Sequence, residues 1–421
     1  MKKDFNNRKV KKHRVLETIG TIVQSVLTFV ITFAVLLFLV FLVTPGNTKE
    51  KFADAKEYLM ATFGKANTEV EIEQNPIEGV EENKIVAPKI VSDTVEASVA
   101  RQVTPVVEQK EIEKVANNSK GNEALTLSSS MYYIQLDQYG KKIYDKLSME
   151  SAYFLNGEHS FNYGTVFNEL LNRPGGAEQL EHSFQAAVNA LALDFPQLYF
   201  IDVSNISLVI TEKQYMGARP VYTVKIENAK GKLFYADGIR SKDELDMIRN
   251  KVEALREKII KNARRYPTQY EQIKYVHDYI VDNVYYDDNI TDSSKYNLGF
   301  TLLRGRAVCE GYAKSFKYIL DGMQIPTITT VGMGINSVGS RERHAWNQVY
   351  LDGYWYGVDT TWDDPIVTSN SILTRRDTHK YFLVGENVFK GNHMPDGNVS
   401  DGVEFKYPQL PAYSYTPPRR Q

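Results

Sequence analysis

The sequence predicts a membrane-anchored protein whose outer part is a folded head of mixed helix and strand. Three observations predict it. An uncharged apolar run lies near the N-terminus. A long stretch without aromatic residues follows it. Beyond that, helical and strand-like periodicities return and lead to a sharply defined hairpin.

Residues 1–17 form a basic tail, with Lys2, Lys3, Arg8, Lys9, Lys11, Lys12 and Arg14 against Asp4 and Glu17. Residues 18–44 contain no charged side chain after Glu17, and Ile19 to Val43 is dominated by Ile, Val, Leu and Phe. A helix of that length measures about 37 Å, enough to cross a hydrocarbon core of about 30 Å with some tilt. Phe41-Leu42-Val43-Thr44-Pro45 is a poor cleavage site for a secretory leader. The basic side faces the cytoplasm, which places the rest of the chain outside a plasma membrane crossed once. Residues 45–130 read as a stalk. From Gly64 to Met131 there is no aromatic residue, and Pro76, Pro88 and Pro105 interrupt any long helix. Such a segment buries too little apolar surface to offset its chain entropy, so it is expected to be largely disordered.

Aromatic residues return at Tyr132-Tyr133, so the head is expected from residue 131, with an N-terminal α/β part at 131–240 and a second part at 241–421. Ala177 to Leu193 carries Leu180, Phe184, Val188 and Leu191 on one helical stripe. Ile206–Ile210 and Val221–Ile226 are β-branched runs, hence strands. Ser241-Lys242-Asp243-Glu244 has capping-box spacing and opens a helix through Ile259. Pro267 separates it from a second helix carrying Ile273, Val276, Ile280 and Val284.

The residues that suggest chemistry lie between 304 and 365. Cys309, the sole cysteine, precedes Tyr312, Phe316, Ile319 and Leu320, which recur at helical spacing. It therefore sits in the first turn of a helix, where backbone N–H groups favour the anionic, nucleophilic form of a thiol. Further on, Asp352-Gly353 stands between two alternating runs, His344–Leu351 and Tyr354–Thr361. Asp-Gly in that setting signals a two-residue hairpin loop, which fixes the register so that Leu351 faces Tyr354. His344 and Asp359 then share a face as diagonal neighbours, with Cβ atoms within about 8 Å. A helix-borne Cys, a strand-borne His and an Asp on the next strand supply a nucleophile, its base and the group that orients the base. All three tryptophans, Trp346, Trp355 and Trp362, fall in the same stretch.

Three motifs here resemble those of bacterial transglutaminase-like proteins: Cys309-Glu310-Gly311-Tyr312-Ala313, His344-Ala345-Trp346-Asn347, and Val358-Asp359-Thr360-Thr361-Trp362-Asp363-Asp364-Pro365. Upstream, Tyr275-Val276-His277-Asp278-Tyr279-Ile280 with Val284-Tyr285-Tyr286-Asp287 is similar to the helix that precedes their Cys motif, and Tyr381-Phe382-Leu383-Val384 to a downstream strand. The resemblance spans about residues 266–390. It implies a papain-like α+β core in which the Cys helix packs on an antiparallel sheet bearing the His and Asp. By position, Cys309 is then the nucleophile, His344 the acid/base and Asp359 the orienting residue. An oxyanion would be held by the Cys309 backbone N–H. Tyr285, Tyr286 and Trp346 are the candidates for a second donor or for lining the substrate site.

The resemblance implies acyl transfer to an amine or hydrolysis of protein or peptide amides through a Cys thioester, on substrates at the cell surface or in the cell wall. The alternative is a silent module that binds cell-wall or surface proteins without turnover. His277 reads as structural, and His379 and His393 as too isolated for a metal site. Asp363-Asp364 lacks the alternating oxygen ligands of a calcium loop. Phosphate-loop and dinucleotide patterns are absent, so no cofactor or metal is expected. One cysteine excludes an intramolecular disulfide and a Cys-rich zinc site. Fifty basic against 52 acidic residues give a net charge of −2, with no basic excess to hold a nucleic-acid backbone.

Overall fold

A computed structural model describes residues 80–86, 121–335, 339–364, 377–400 and 402–418. The tail at 1–17, the apolar run at 18–44 and most of the expected stalk lie outside the described residues. Among the described residues no helix is long and apolar enough to cross a membrane.

The folded unit begins earlier than residue 131. Val80–Val86 forms strand β1, paired antiparallel with β3 (Ile206–Lys213). Gly121–Ser130 forms helix α1, which buries Ala124, Leu127 and Ser128. Both segments were expected to belong to the stalk. They lack aromatic residues, but β1 pairs with the edge of a sheet and α1 places Ala124 and Leu127 in the core. Lys317, itself 1% exposed, donates its ammonium to the carbonyls of Ser128 and Thr327 and so ties the end of α1 to the rest of the head.

Helices α2 (Gln138–Met149), α3 (Asn168–Leu171) and α4 (Gly176–Asp194) pack beside a first antiparallel sheet of order β1-β3-β4-β2, with β2 at Ser160–Gly164 and β4 at Val221–Asn228. Helix α5 (Lys242–Ala263) opens at Ser241, whose hydroxyl accepts from the Glu244 N–H at 3.2 Å. Helix α6 (Gln269–Asn283) opens on a full capping box between Thr268 and Glu271. The caps satisfy N–H groups that have no partner within the helix, which is why both starts are legible from sequence.

The chain then runs through β5 (Tyr285–Tyr286), α7 (Leu298–Arg304) and β6 (Arg306–Ala307) into α8 (Cys309–Gly322), with β5 and β6 paired in parallel. Helix α8 buries the expected stripe, Tyr312, Phe316, Ile319 and Leu320. Gly311 permits this close packing: a Cβ there would lie 2.5 Å from the Thr301 hydroxyl and 2.6 Å from the Ala307 Cβ. Opposite α8 stands a second antiparallel sheet of order β10-β7-β8-β9. Its strands are β7 (Thr327–Ile335), β8 (Arg341–Leu351), β9 (Tyr354–Val358) and β10 (His393–Pro395). A short helix α9 (Glu386–Phe389) precedes β10, and the hairpin β11 (Asn398–Ser400) and β12 (Val403–Glu404) follows it.

The β8–β9 hairpin has the expected register, Leu351 opposite Tyr354 through to Asn347 opposite Val358. Its loop has positive φ at both central residues, 49° at Asp352 and 95° at Gly353, which matches the twist of the flanking strands. Tyr381–Val384 is not a regular strand. Gly357 and Val384 exchange backbone hydrogen bonds, but Leu383 has a φ of 51°, which breaks the pleat. One contiguous hydrophobic core joins both parts of the head, from Phe161 and Phe184 to Tyr312 and Trp355. A satellite cluster of Trp346, Trp362, Tyr381, Val384 and Phe389 lies next to His344.

Candidate active site

Helix α8 opens at Cys309, whose N-terminal position comes from Val308 in extended conformation and from a buried hydrophobic stripe that begins at Tyr312. The thiol is half-buried. The Asn347 side chain sets the distance between helix and sheet. It donates to the Ala313 carbonyl at 3.0 Å, one turn into α8 from Cys309 and three residues along β8 from His344.

His344 is 5% exposed and lies between two partners. Its Nε2 donates to Asp359 Oδ2 at 2.7 Å, and Cys309 is close enough to contribute to its pKa. Nδ1 is the ring nitrogen that Asp359 does not use. Trp362 stacks on the ring at 4.8 Å between centroids, which limits its rotation. Asp359 is fully buried and accepts four hydrogen bonds. Oδ1 takes the Thr361 and Trp362 N–H groups at 2.9 and 3.1 Å, and Oδ2 takes His344 and His393.

These contacts govern charge. Burial alone would lower the His344 pKa. The Asp359 carboxylate and its hydrogen bond, with the hydrogen bond to Cys309, outweigh burial and raise it to about 10. Burial would raise Asp359. The His344 charge and the hydrogen bonds from His344 and His393 hold it well below the usual carboxylate range. At neutral pH the site therefore carries a carboxylate and an imidazolium, with Cys309 nearby.

The remaining predicted residues sit differently. Tyr285 and Tyr286 lie on β5, opposite Arg306 and Ala307, just ahead of Cys309, and Tyr285 is half exposed. Trp346 is 1% exposed and packs against His393 and Phe389. It packs behind His344, at 5.8 Å between ring centroids.

Sequence reasoning missed His393. It appeared isolated, yet β10 brings its Nε2 to 2.9 Å from Asp359 Oδ2. No motif flags it, because its partner lies 34 residues away and β10 is only three residues long. His379 is not isolated either: its Nε2 lies 2.6 Å from Asp278 Oδ1. His277 is fully buried, with Nδ1 at 3.1 Å from Asp278 and Nε2 at 3.1 Å from Asp363. Burial lowers its pKa, but its hydrogen bonds to these two carboxylates raise it overall. Asp363 also accepts the Tyr381 N–H, and Asp364 accepts the Tyr312 hydroxyl at 2.6 Å. Both acids are buried anchors of the turn after β9.

Two groups have the ligand atoms to hold a metal ion, His277 with Asp278 and His379, and His344 with Asp359 and His393. In the first, the Lys274 ammonium already bridges Asp278 at 2.6 Å and His379 at 2.8 Å. In the second, hydrogen bonds use both carboxylate oxygens. We assign no metal to either.

Residues 254–360 match the family model of the transglutaminase-like superfamily, so the chain carries a transglutaminase-like domain. The matched span contains Cys309, His344 and Asp359. The kyphoscoliosis peptidases of Mus musculus and Homo sapiens are 35% and 36% identical to it over 96 residues, 21% of this chain and 14% of each relative. This chain thus spans a small part of the length of the curated relatives it matches. A crystal structure of a TGase aligns at 17% identity over 39% of this chain and 46% of that one, with a TM-score of 0.26. The periplasmic domain of TgpA from Pseudomonas aeruginosa aligns at 11% identity over 37% of this chain and 70% of that one, with a TM-score of 0.22.

Proposed function

We propose that the protein is a membrane-anchored, extracellular cysteine enzyme that cleaves or transfers protein or peptide amides through a Cys309 thioester. The observation that carries the proposal is the placement of His344 between a buried carboxylate and the only thiol in the chain. The Cys309 sulfur attacks the amide carbonyl carbon, and the negative charge that develops on oxygen meets the N–H groups at the start of α8. The imidazolium gives its Nδ1 proton to the leaving amine as the C–N bond breaks, which leaves a thioester. Water or an amine then attacks the thioester and loses a proton to His344. The carbon–sulfur bond breaks and the thiolate returns. Asp359 keeps the ring oriented and its positive charge compensated throughout.

Hydrolysis is our preferred outcome, in line with the peptidase name of the curated relatives. Mass spectrometry of cell-surface proteins incubated with the full-length chain and a primary amine separates the alternatives. New termini support hydrolysis, amine incorporation supports transfer, and a gain of one mass unit at Gln supports deamidation. No product with wild type, or equal product with Cys309→Ala, would refute the enzyme reading.

A further inference from the structure

The most informative feature outside the motifs is a second imidazole on the triad's carboxylate. His393 and His344 point their Nε2 atoms at the same oxygen, Asp359 Oδ2, at 2.9 and 2.7 Å. Each ring is held in place. His393 stacks on Phe389 at 3.9 Å between centroids with an interplanar angle of 12°. Trp346 meets it edge-on at 5.0 Å, and Trp362 and Tyr381 lie at 4.5 and 5.2 Å. The backbone is fixed as well, because His393 pairs with Gly334 on β7. Asn392 Oδ1 lies 2.8 Å from Nδ1; with the amide's oxygen and nitrogen exchanged, the amide donates there and Nε2 is left to carry the proton toward Asp359.

We propose that His393 is a positioning residue for the Cys309–His344–Asp359 site, one that fixes the Asp359 carboxylate and limits how much of its charge reaches His344. A buried carboxylate with one donor on an oxygen concentrates its charge on that donor. A second, neutral donor on the same oxygen shares that charge and lowers the affinity of the carboxylate–imidazole pair for its proton. His393 is suited to be that neutral donor. Burial lowers its pKa, the His344 charge lowers it further, and Lys380 acts in the same sense against the pull of Asp359. The titratable groups that act on it most are Asp359 on the turn after β9, His344 on β8 and Lys380 ahead of Tyr381; Glu386, Lys390 and Lys406 line the same cavity. The arrangement has a further consequence. His393 also walls a cavity of about 360 Å³ with Trp346, Gln348, Phe389 and Tyr407, so the outer side of the Asp359 clamp faces a space and not packed core.

The inference rests on the reading of Cys309 as a His344-activated thiol, and the test keeps the two apart. The probe is iodoacetate, used on the full-length protein between pH 5 and 11. Its carboxylate is drawn to the imidazolium, so the alkylation rate of Cys309 falls as His344 loses its proton. In wild type this alkaline fall reports His344. If wild-type Cys309 shows no such fall and reacts no faster than in the unfolded chain, the underlying reading fails and the inference fails with it. Given the fall, His393→Phe keeps the ring and its stack but removes the donor. The alkaline limb is expected to move up by about one pH unit. His393→Gln restores an N–H and is expected to return the limb to near its wild-type position. A structural role alone would lower the melting temperature of both variants and leave the limb where it was. An unmoved limb in folded His393→Phe, or equal shifts in the two variants, would overturn the proposal. Should His393→Phe fail to fold, His393→Leu and His393→Asn give the same contrast between donor absent and donor present.

Discussion

Asp359→Asn is the most discriminating single substitution in the site. Asn has one oxygen where Asp has two, and four donors converge on that carboxylate. The Thr361 and Trp362 N–H groups are backbone and cannot turn away, so the remaining oxygen is drawn to them. The amide nitrogen is then presented to His344 Nε2, which must become an acceptor. In a neutral imidazole the proton moves to Nδ1, the nitrogen that Asp359 leaves free, and that nitrogen can no longer act as a base. The charge is lost too. The rise of His344 from 6.5 to about 10 corresponds to roughly 5 kcal/mol of preference for the imidazolium, most of it supplied by Asp359. Loss of tautomer and charge together is expected to slow turnover at pH 7.5 by about 10³-fold to 10⁴-fold and Cys309 alkylation by at least about tenfold. The volume is unchanged, so far-ultraviolet circular dichroism should match wild type. The assay is the second-order rate of Cys309 alkylation by a neutral electrophile, with turnover alongside once a substrate is known. A rate within tenfold of wild type in a folded Asp359→Asn protein would refute the reasoning.

The other expectations are as follows. Insertion of one residue after Gly353 forces the β8–β9 pairing to shift or bulge and moves Asp359 off the His344 face, so reactivity should fall as far as in Asp359→Ala while the helices stay folded; wild-type reactivity in the insertion variant would contradict the register argument. The His344–Asp359 pair stabilises the fold in a definite pH window: the Asp359 contribution is present above about pH 4 and lost as acid protonates it, and the His344 contribution is complete below about pH 6.5 and lost as pH rises toward about 10. Urea midpoints should therefore decline on the alkaline side, and His344→Gln should flatten that decline. Tyr312→Phe removes the hydroxyl that Asp364 accepts at 2.6 Å and should cost about 1–2 kcal/mol in urea unfolding; a cost near zero would show that the contact is unimportant. A protease added to intact cells should digest the head, and a head protected until the membrane is breached would contradict the proposed topology.

The site was legible where local rules decide the geometry. Asp352-Gly353 dictates a two-residue loop, the loop dictates the register, and the register brings His344 to Asp359, with no long-range information needed. The start of α8 followed from the helical stripe beginning at Tyr312, and the starts of α5 and α6 from their capping residues. What failed was everything that depends on distant packing. His393 reaches Asp359 only because β10 pairs with β7, and a three-residue strand has no period to read. Asp363 reaches His277 across 86 residues, a contact no spacing rule announces. Strand β1 and helix α1 were assigned to a stalk because their composition is poor in aromatic residues. Their order comes from the sheet edge and the buried Lys317 that receive them, which are encoded elsewhere in the chain.

The most direct test of the central claim is the reactivity of Cys309 itself. Native protein at neutral pH is labelled with a neutral thiol electrophile and compared with the urea-unfolded chain and with His344→Ala. Because the chain has a single cysteine, labelling reports that site alone. The account predicts native labelling at least tenfold faster than in the unfolded chain, with the excess lost in His344→Ala. Native labelling no faster than unfolded, or equally fast without His344, would contradict it and leave the motifs without their chemistry.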